Sequence, residues 1–207
     1  MFIPPAFKAP ETLPARELVD RFGFAILLMR NADGGNEITH LPMIYEETGE
    51  GEALLLGHVA RANPISKLIL AGGEATAIFT GPHSYISPDW YESENMVPTW
   101  NYAAAHFHGP LTPLTEPDDA KALLAKLSGF VEAGLEPKQP WTAEKIAPGS
   151  LDKMLRGIVA FSLPVERVEL KAKLSQNRAP EDRAGVIEAL KQLGDANSLD
   201  MAELMQR

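Results

Sequence analysis

The sequence predicts a mainly β fold with flanking helices, built as an antiparallel barrel, and three observations lead there. About six to eight short apolar runs carry strand periodicity. The helices between them are few and short. No regular alternation of strand and helix appears, which argues against a doubly wound parallel sheet. The chain of 207 residues is 45% hydrophobic and 23% charged, enough to build one core without staples. No linker, repeat or low-complexity segment breaks it, so a single domain over 1–207 is expected, with C-terminal helices from about 180 packed on it.

The elements follow in order. A proline-broken start leads to a helix over Pro14–Phe22, with Thr12 as its cap and Leu13, Leu18, Val19 and Phe22 as its apolar stripe. Phe24–Arg30 is near-continuously apolar and reads as a strand buried on both faces. NADGGN is a turn into Glu37–Tyr45, where Pro42 marks an edge, a bulge or a point where something other than a strand lies alongside, since proline cannot donate to a ladder. Ala53–Val59 is a strand. Asn63–Leu70 is a short helix with Asn63 as cap and Pro64 in its first turn. Strands follow at Glu74–Thr80 and Trp100–Leu111. Glu116–Leu135 is the clearest helix, capped by Thr115, with Leu123, Leu127, Phe130 and Val131 on one face. Ser150–Leu155 is a helical turn, and Gly157–Lys173 holds one or two strands broken at Pro164. Two helices, Glu181–Leu193 and Ser198–Gln206, are split by Gly194.

Composition excludes several functions. There is no cysteine, hence no disulfide, no thiolate catalysis and no Cys-type zinc or iron–sulfur site. A formal net charge of −9 gives no general attraction to DNA. The N-terminus lacks a signal-peptide pattern, and no apolar run approaches the ~20 residues of a membrane span, so a cytoplasmic address without membrane contact is expected. No GxSxG, HExxH, GxGxxG or Walker motif is present.

Four segments could carry chemistry. Phe79–Gly109 gathers two of the three tryptophans, three of the four tyrosines and three of the five histidines. Such an aromatic concentration reads as a wall for a flat ligand or as glue between subunits. His58–Lys67 sets Arg61, Asn63, Ser66 and Lys67 around a helix start, either a phosphate seat or an ordinary capped helix with two solvated cations. His106 and His108 share a strand face, yet two imidazoles are short of a metal site, and hydrogen-bonded histidines are the plainer reading. Lys173–Arg178 with Arg183 could bind an anion or simply join strand to helix.

Taken together, several blocks resemble one family. They are Thr39–Pro42 (THLP), Gly57–Pro64 (GHVARANP), Phe79–Pro88 (FTGPHSYISP) with Trp90 and Tyr91, Val97–Tyr102 (VPTWNY), His106 with Gly109, and Lys173–Arg178 (KLSQNR). In this order and nearly end to end, they resemble the PaiB-type FMN-binding negative transcriptional regulators. The resemblance implies an FMN-binding split β-barrel of antiparallel, Greek-key type, related to pyridoxamine-phosphate oxidases. It also implies a homodimer with FMN in a groove at the subunit interface. By position in that fold, His40, Leu41 and Pro42 would lie along the isoalloxazine ring. His58 would join that site, Arg61, Asn63 and Lys67 would hold the phosphate, and Trp100 and Asn101 would reach it from a neighbouring strand or subunit.

Three functions compete. The first is a flavin-linked oxidoreductase or sensor acting on a small redox substrate, with any effect on transcription indirect. The second is a repressor that binds DNA or another protein without catalysis. The acidic charge weighs against direct DNA contact, and so does the last helix, whose only cation is Arg207. The third is a haem-binding split barrel with His83, His106 or His108 as axial ligand.

Overall fold

The computed structural model describes residues 1–147 and 149–207. Eight strands are named in chain order: β1 (Phe24–Arg30), β2 (Asn36–Glu47), β3 (Ala53–Ala60), β4 (Glu74–Ile86), β5 (Thr99–Pro110), β6 (Thr112–Leu114), β7 (Ile158–Pro164) and β8 (Arg167–Lys173). Hydrogen-bonded neighbours run β6-β7-β3-β2-β1-β4-β5-β8. Six helices flank them: α1 (Ala15–Arg21), α2 (Ile65–Leu70), α3 (Pro117–Ala133), α4 (Ser150–Leu155), α5 (Pro180–Leu193) and α6 (Ala196–Gln206). The fold is the split β-barrel that the resemblance implied. The chain divides into two compact units, neither of them continuous in sequence. One comprises Met1–Phe22, Phe79–His106 and Glu169–Arg207, the other Gly23–Ile78 and Phe107–Val168.

In the second unit, β1 corrects the expectation of a strand buried on both faces. Ala25, Leu27 and Met29 are buried, while Phe24 is 66% exposed and Ile26 and Leu28 are half-buried. Burial therefore has period two although apolarity does not. Opposite β1, Ile38 and His40 of β2 lie on the same outer face and are exposed, Ile38 by 57%.

Pro42 sits at a change of neighbour. β2 pairs with β1 over Asn36–Pro42 and with β3 over Met43–Glu47. A missing N–H costs least where the strand passes from one partner to the next. Beyond that point helix α3 covers the outer face. Ile44, Leu56 and Ala160 pack against Ala120, Leu123 and Leu127. Phe130 and Val131, expected on the same stripe, are exposed, because the buried part of the helix ends at Leu127.

In the first unit, α5 and α6 pack together. Gly194 adopts φ 71° past the end of α5, the left-handed geometry that glycine takes without steric cost. Gly185 lets α5 approach the turn after β4. A Cβ there would lie 2.2 Å from the Trp90 carbonyl oxygen. The aromatic-rich stretch Phe79–Gly109 is mostly strand, since β4 continues through Gly81 and Pro82 to Ile86 and β5 begins at Thr99.

Candidate functional site

The second unit collects most of the sequence-predicted site. His40 and Pro42 alternate along β2 on the outer face, and Phe24 stands beside them. The Phe24 and His40 rings stack at 6.2 Å with 25° between their planes. Leu41 points the other way and is buried, so only its backbone is available to a ligand on this face.

His58 lies on β3, two residues from Leu56, which pairs with Ile44. Alternation puts it on the face that carries Pro42 and Ile44. Its Nδ1 is buried and, among the described residues, has no hydrogen-bond partner. Desolvation pushes the imidazole pKa below its ordinary value, favouring the neutral ring. A buried polar atom without a protein partner is rare enough to need a reason.

The start of α2 is less open to an anion than its sequence promised. Asn63 Oδ1 accepts from Ile65 N at 3.2 Å, and the Asn63 carbonyl accepts from Ser66 N at 3.0 Å. Lys67 N donates to the Pro64 carbonyl at 3.3 Å. The amides that would cradle a phosphate are thus engaged by the chain itself, and the helix has only six residues. Asn63 Nδ2 also donates to Thr39 Oγ1 at 3.0 Å, tying this turn to the residue beside His40.

Arg61 is likewise committed. Its Nε donates to the Arg156 carbonyl at 2.8 Å and its Nη2 to the Ile158 carbonyl at 2.9 Å. Its remaining nitrogen and the exposed Lys67 are what an anion could reach. Beside Arg61 lies a cavity of about 650 Å³ whose lining also includes Arg156, Glu116 and Asp152.

The first unit holds the other two predicted residues. Trp100 is 52% exposed, with Tyr85 edge-on at 6.1 Å and His83 at 6.4 Å. Asn101 is fully buried. Its Nδ2 donates to Ser175 Oγ at 2.9 Å and lies 3.4 Å from Met205 Sδ. This buried amide braces the core through Ser175. His106 faces Glu169 at 3.6 Å, and in the second unit His108 Nδ1 is 3.0 Å from Thr76 Oγ1.

A side chain that sequence reading passed over is Asp182. It is buried at the start of α5 and accepts from Glu92 N (2.9 Å), Ser93 N (3.0 Å) and Ser93 Oγ (2.9 Å). These bonds, the Ser93 amide first, hold its carboxyl below the usual range. Its place in the first turn of a predicted helix was the one available signal.

Residues 1–167 match the family described as "Putative FMN-binding domain". The chain is 34% identical over 207 residues to the Bacillus subtilis "Protease synthase and sporulation protein PAI 2", covering 100% of this chain and 97% of that protein. The chain belongs to this FMN-binding domain family and is a PaiB homologue. Among solved structures, it resembles the "FAD and Heme binding protein" of Mycobacterium smegmatis at TM-score 0.56 and 18% identity, covering 82% of this chain and 75% of that one. A conserved hypothetical protein from Mycobacterium tuberculosis gives TM-score 0.57 at 12% identity, covering 86% and 94%. At these identities the two structures speak to fold alone. Among the described residues, no helix is long and apolar enough to cross a membrane.

Proposed function

We propose that this protein binds FMN against the outer face of β1 and β2, between two copies of the chain, and works as a flavin-linked oxidoreductase or sensor. The observation that carries the reading is the one-sided burial of β1. Phe24, Ile38 and the stacked His40 leave an apolar, partly aromatic surface uncovered. Covering an exposed phenylalanine or isoleucine contributes about 1.5–3 kcal/mol each, so this face favours a planar ring and a second subunit over water.

The residues fit such a cofactor unevenly. His40 and Pro42 would flank the ring, and the neutral His58 offers an unused Nδ1. Asn63 would hold the turn in place through Thr39. Arg61 and Lys67 would supply charge to the phosphate through side chains, since the helix amides are taken. When bound, the flavin supplies hydride or electron transfer. The chain's part is to bind and orient it and to exclude water from one ring face.

An indirect effect on transcription is favoured over DNA reading. Met201, Ala202, Leu204 and Met205 of α6 are buried, and its terminal Arg207 is bonded to Glu17 and Glu203. That leaves little of α6 to enter a groove or neutralise phosphate.

The test is an absorption spectrum of the purified protein after incubation with FMN and desalting. Retention of the two-band flavin spectrum, reduced in Phe24→Asp together with dimer formation, is expected. A colourless wild type overturns the flavin reading, and an intense haem band would replace it with the porphyrin alternative.

A further inference from the structure

The KLSQNR segment and the strand before it form a second feature, which the flavin reading does not use. Lys171 and Lys173 alternate on one face of β8. Lys171 is only 9% exposed, and its ammonium lies 5.0 Å from the Tyr102 ring centre and 6.0 Å from that of Phe2. Lys173 donates to the Trp100 carbonyl at 2.8 Å and to Thr99 Oγ1, with Phe7 at 5.7 Å.

Among the described residues, neither ammonium is bonded to a carboxylate. Glu169, two residues before Lys171, is turned to His106 and to the Met1 amino group. Arg178 adds a third positive charge, and burial followed by repulsion from Lys171 and Arg178 lowers the Lys173 pKa. Buried cations are ordinarily paired. Lys171 is buried and Lys173 partly so, and the rings and neutral oxygens around them supply no compensating charge. Trp100, whose carbonyl Lys173 holds, exposes its ring with Tyr85 edge-on to it, forming an aromatic shelf.

We propose that this shelf binds a small planar aromatic acid, its carboxylate or phosphate between Lys171 and Lys173 and its ring against Trp100. A bare anion would leave the exposed indole unused. A neutral ring would leave both ammonium groups uncompensated. All these residues belong to the first unit, and the resemblance had assigned only Trp100 among them to the flavin.

The experiment is calorimetric titration of the FMN-equilibrated protein with phenyl phosphate, benzoate, inorganic phosphate and benzyl alcohol. Phenyl phosphate or benzoate should bind saturably, inorganic phosphate more weakly and benzyl alcohol not measurably. Lys171→Met and Lys173→Met should each weaken the aromatic acid at least ten-fold. Trp100→Ala, a surface change that leaves the fold intact, should weaken phenyl phosphate but leave inorganic phosphate unchanged. No saturable binding to the wild type overturns the proposal. Equal binding of benzyl alcohol, or full affinity in Trp100→Ala, does the same. Displacement of phenyl phosphate by added FMN also refutes it, since the shelf would then be part of the flavin site.

Discussion

The segments His58–Lys67 and Lys171–Arg178 look alike in sequence and are used in opposite ways. Each leaves a strand, carries spaced cations and polar residues, and runs towards a helix. In the first, Arg61 is spent on the carbonyls of Arg156 and Ile158, and Asn63 closes the helix start. In the second, the lysines meet rings, a hydroxyl and one carbonyl, and their charges stay uncompensated. Cation spacing therefore does not say whether a charge is available. What decides it is which groups the fold brings alongside, and for Arg61 those are about a hundred residues away.

The largest effect expected from breaking this contrast lies just beyond the second segment, at Asp182. Asp182→Ala strips three donors at Glu92 and Ser93 of their acceptor inside a buried site. The melting temperature should fall more than for any other change considered, and Asp182→Asn should fall less because an amide still accepts one bond. The sign with pH follows from the depressed carboxyl. Its contribution is complete above the unfolded value of about 3.9 and is lost as pH falls through the lower folded value. Wild type and Asp182→Ala should therefore converge in acid, and melts that stay parallel from neutral pH into acid would remove the carboxylate from the account.

Next in size is Arg61. As a clamp on two carbonyls it should contribute about 1–2 kcal/mol, which Arg61→Ala removes whether or not flavin is present. Lys173→Met should change stability by less than about 0.5 kcal/mol, because the lost bonds to Trp100 and Thr99 are offset by relief of repulsion from Lys171 and Arg178. Chemical denaturation of both variants sharpens the comparison. Equal losses would mean that the two segments are built alike after all.

Much of the architecture was legible because it rests on local patterns. Strand runs, the Gly194 break and the proline positions follow from backbone chemistry that each residue carries with it. Pro42 was legible as a break in the ladder, but not that β2 passes there from one strand partner to the next. What was not legible depended on distant contacts. Phe24–Arg30 reads as doubly buried because sequence records apolarity, not what covers it. Leu41 and Asn101 lie in blocks that resemble a binding family, but one faces the core and the other is held by Ser175. The strand expected over Glu74–Thr80 runs on through Gly81 and Pro82 to Ile86.

The smallest effect belongs to His58. Its ring is partly buried, its Nδ1 has no partner among the described residues, and desolvation lowers its pKa. A histidine with a depressed folded pKa contributes stability above its unfolded value of about 6.5 and loses it as pH falls towards the folded value. Wild-type melting temperature should drop slightly on going from pH 7 to pH 5, and His58→Gln should flatten that slope without changing the pH 8 value much. Repeating the titration with FMN bears on the orphan nitrogen. A cofactor group that satisfies Nδ1 of the neutral ring deepens the preference for that form, so the slope should steepen when FMN is bound. An unchanged slope would place His58 outside the cofactor's reach and leave the ring-binding role to Phe24, His40 and Pro42.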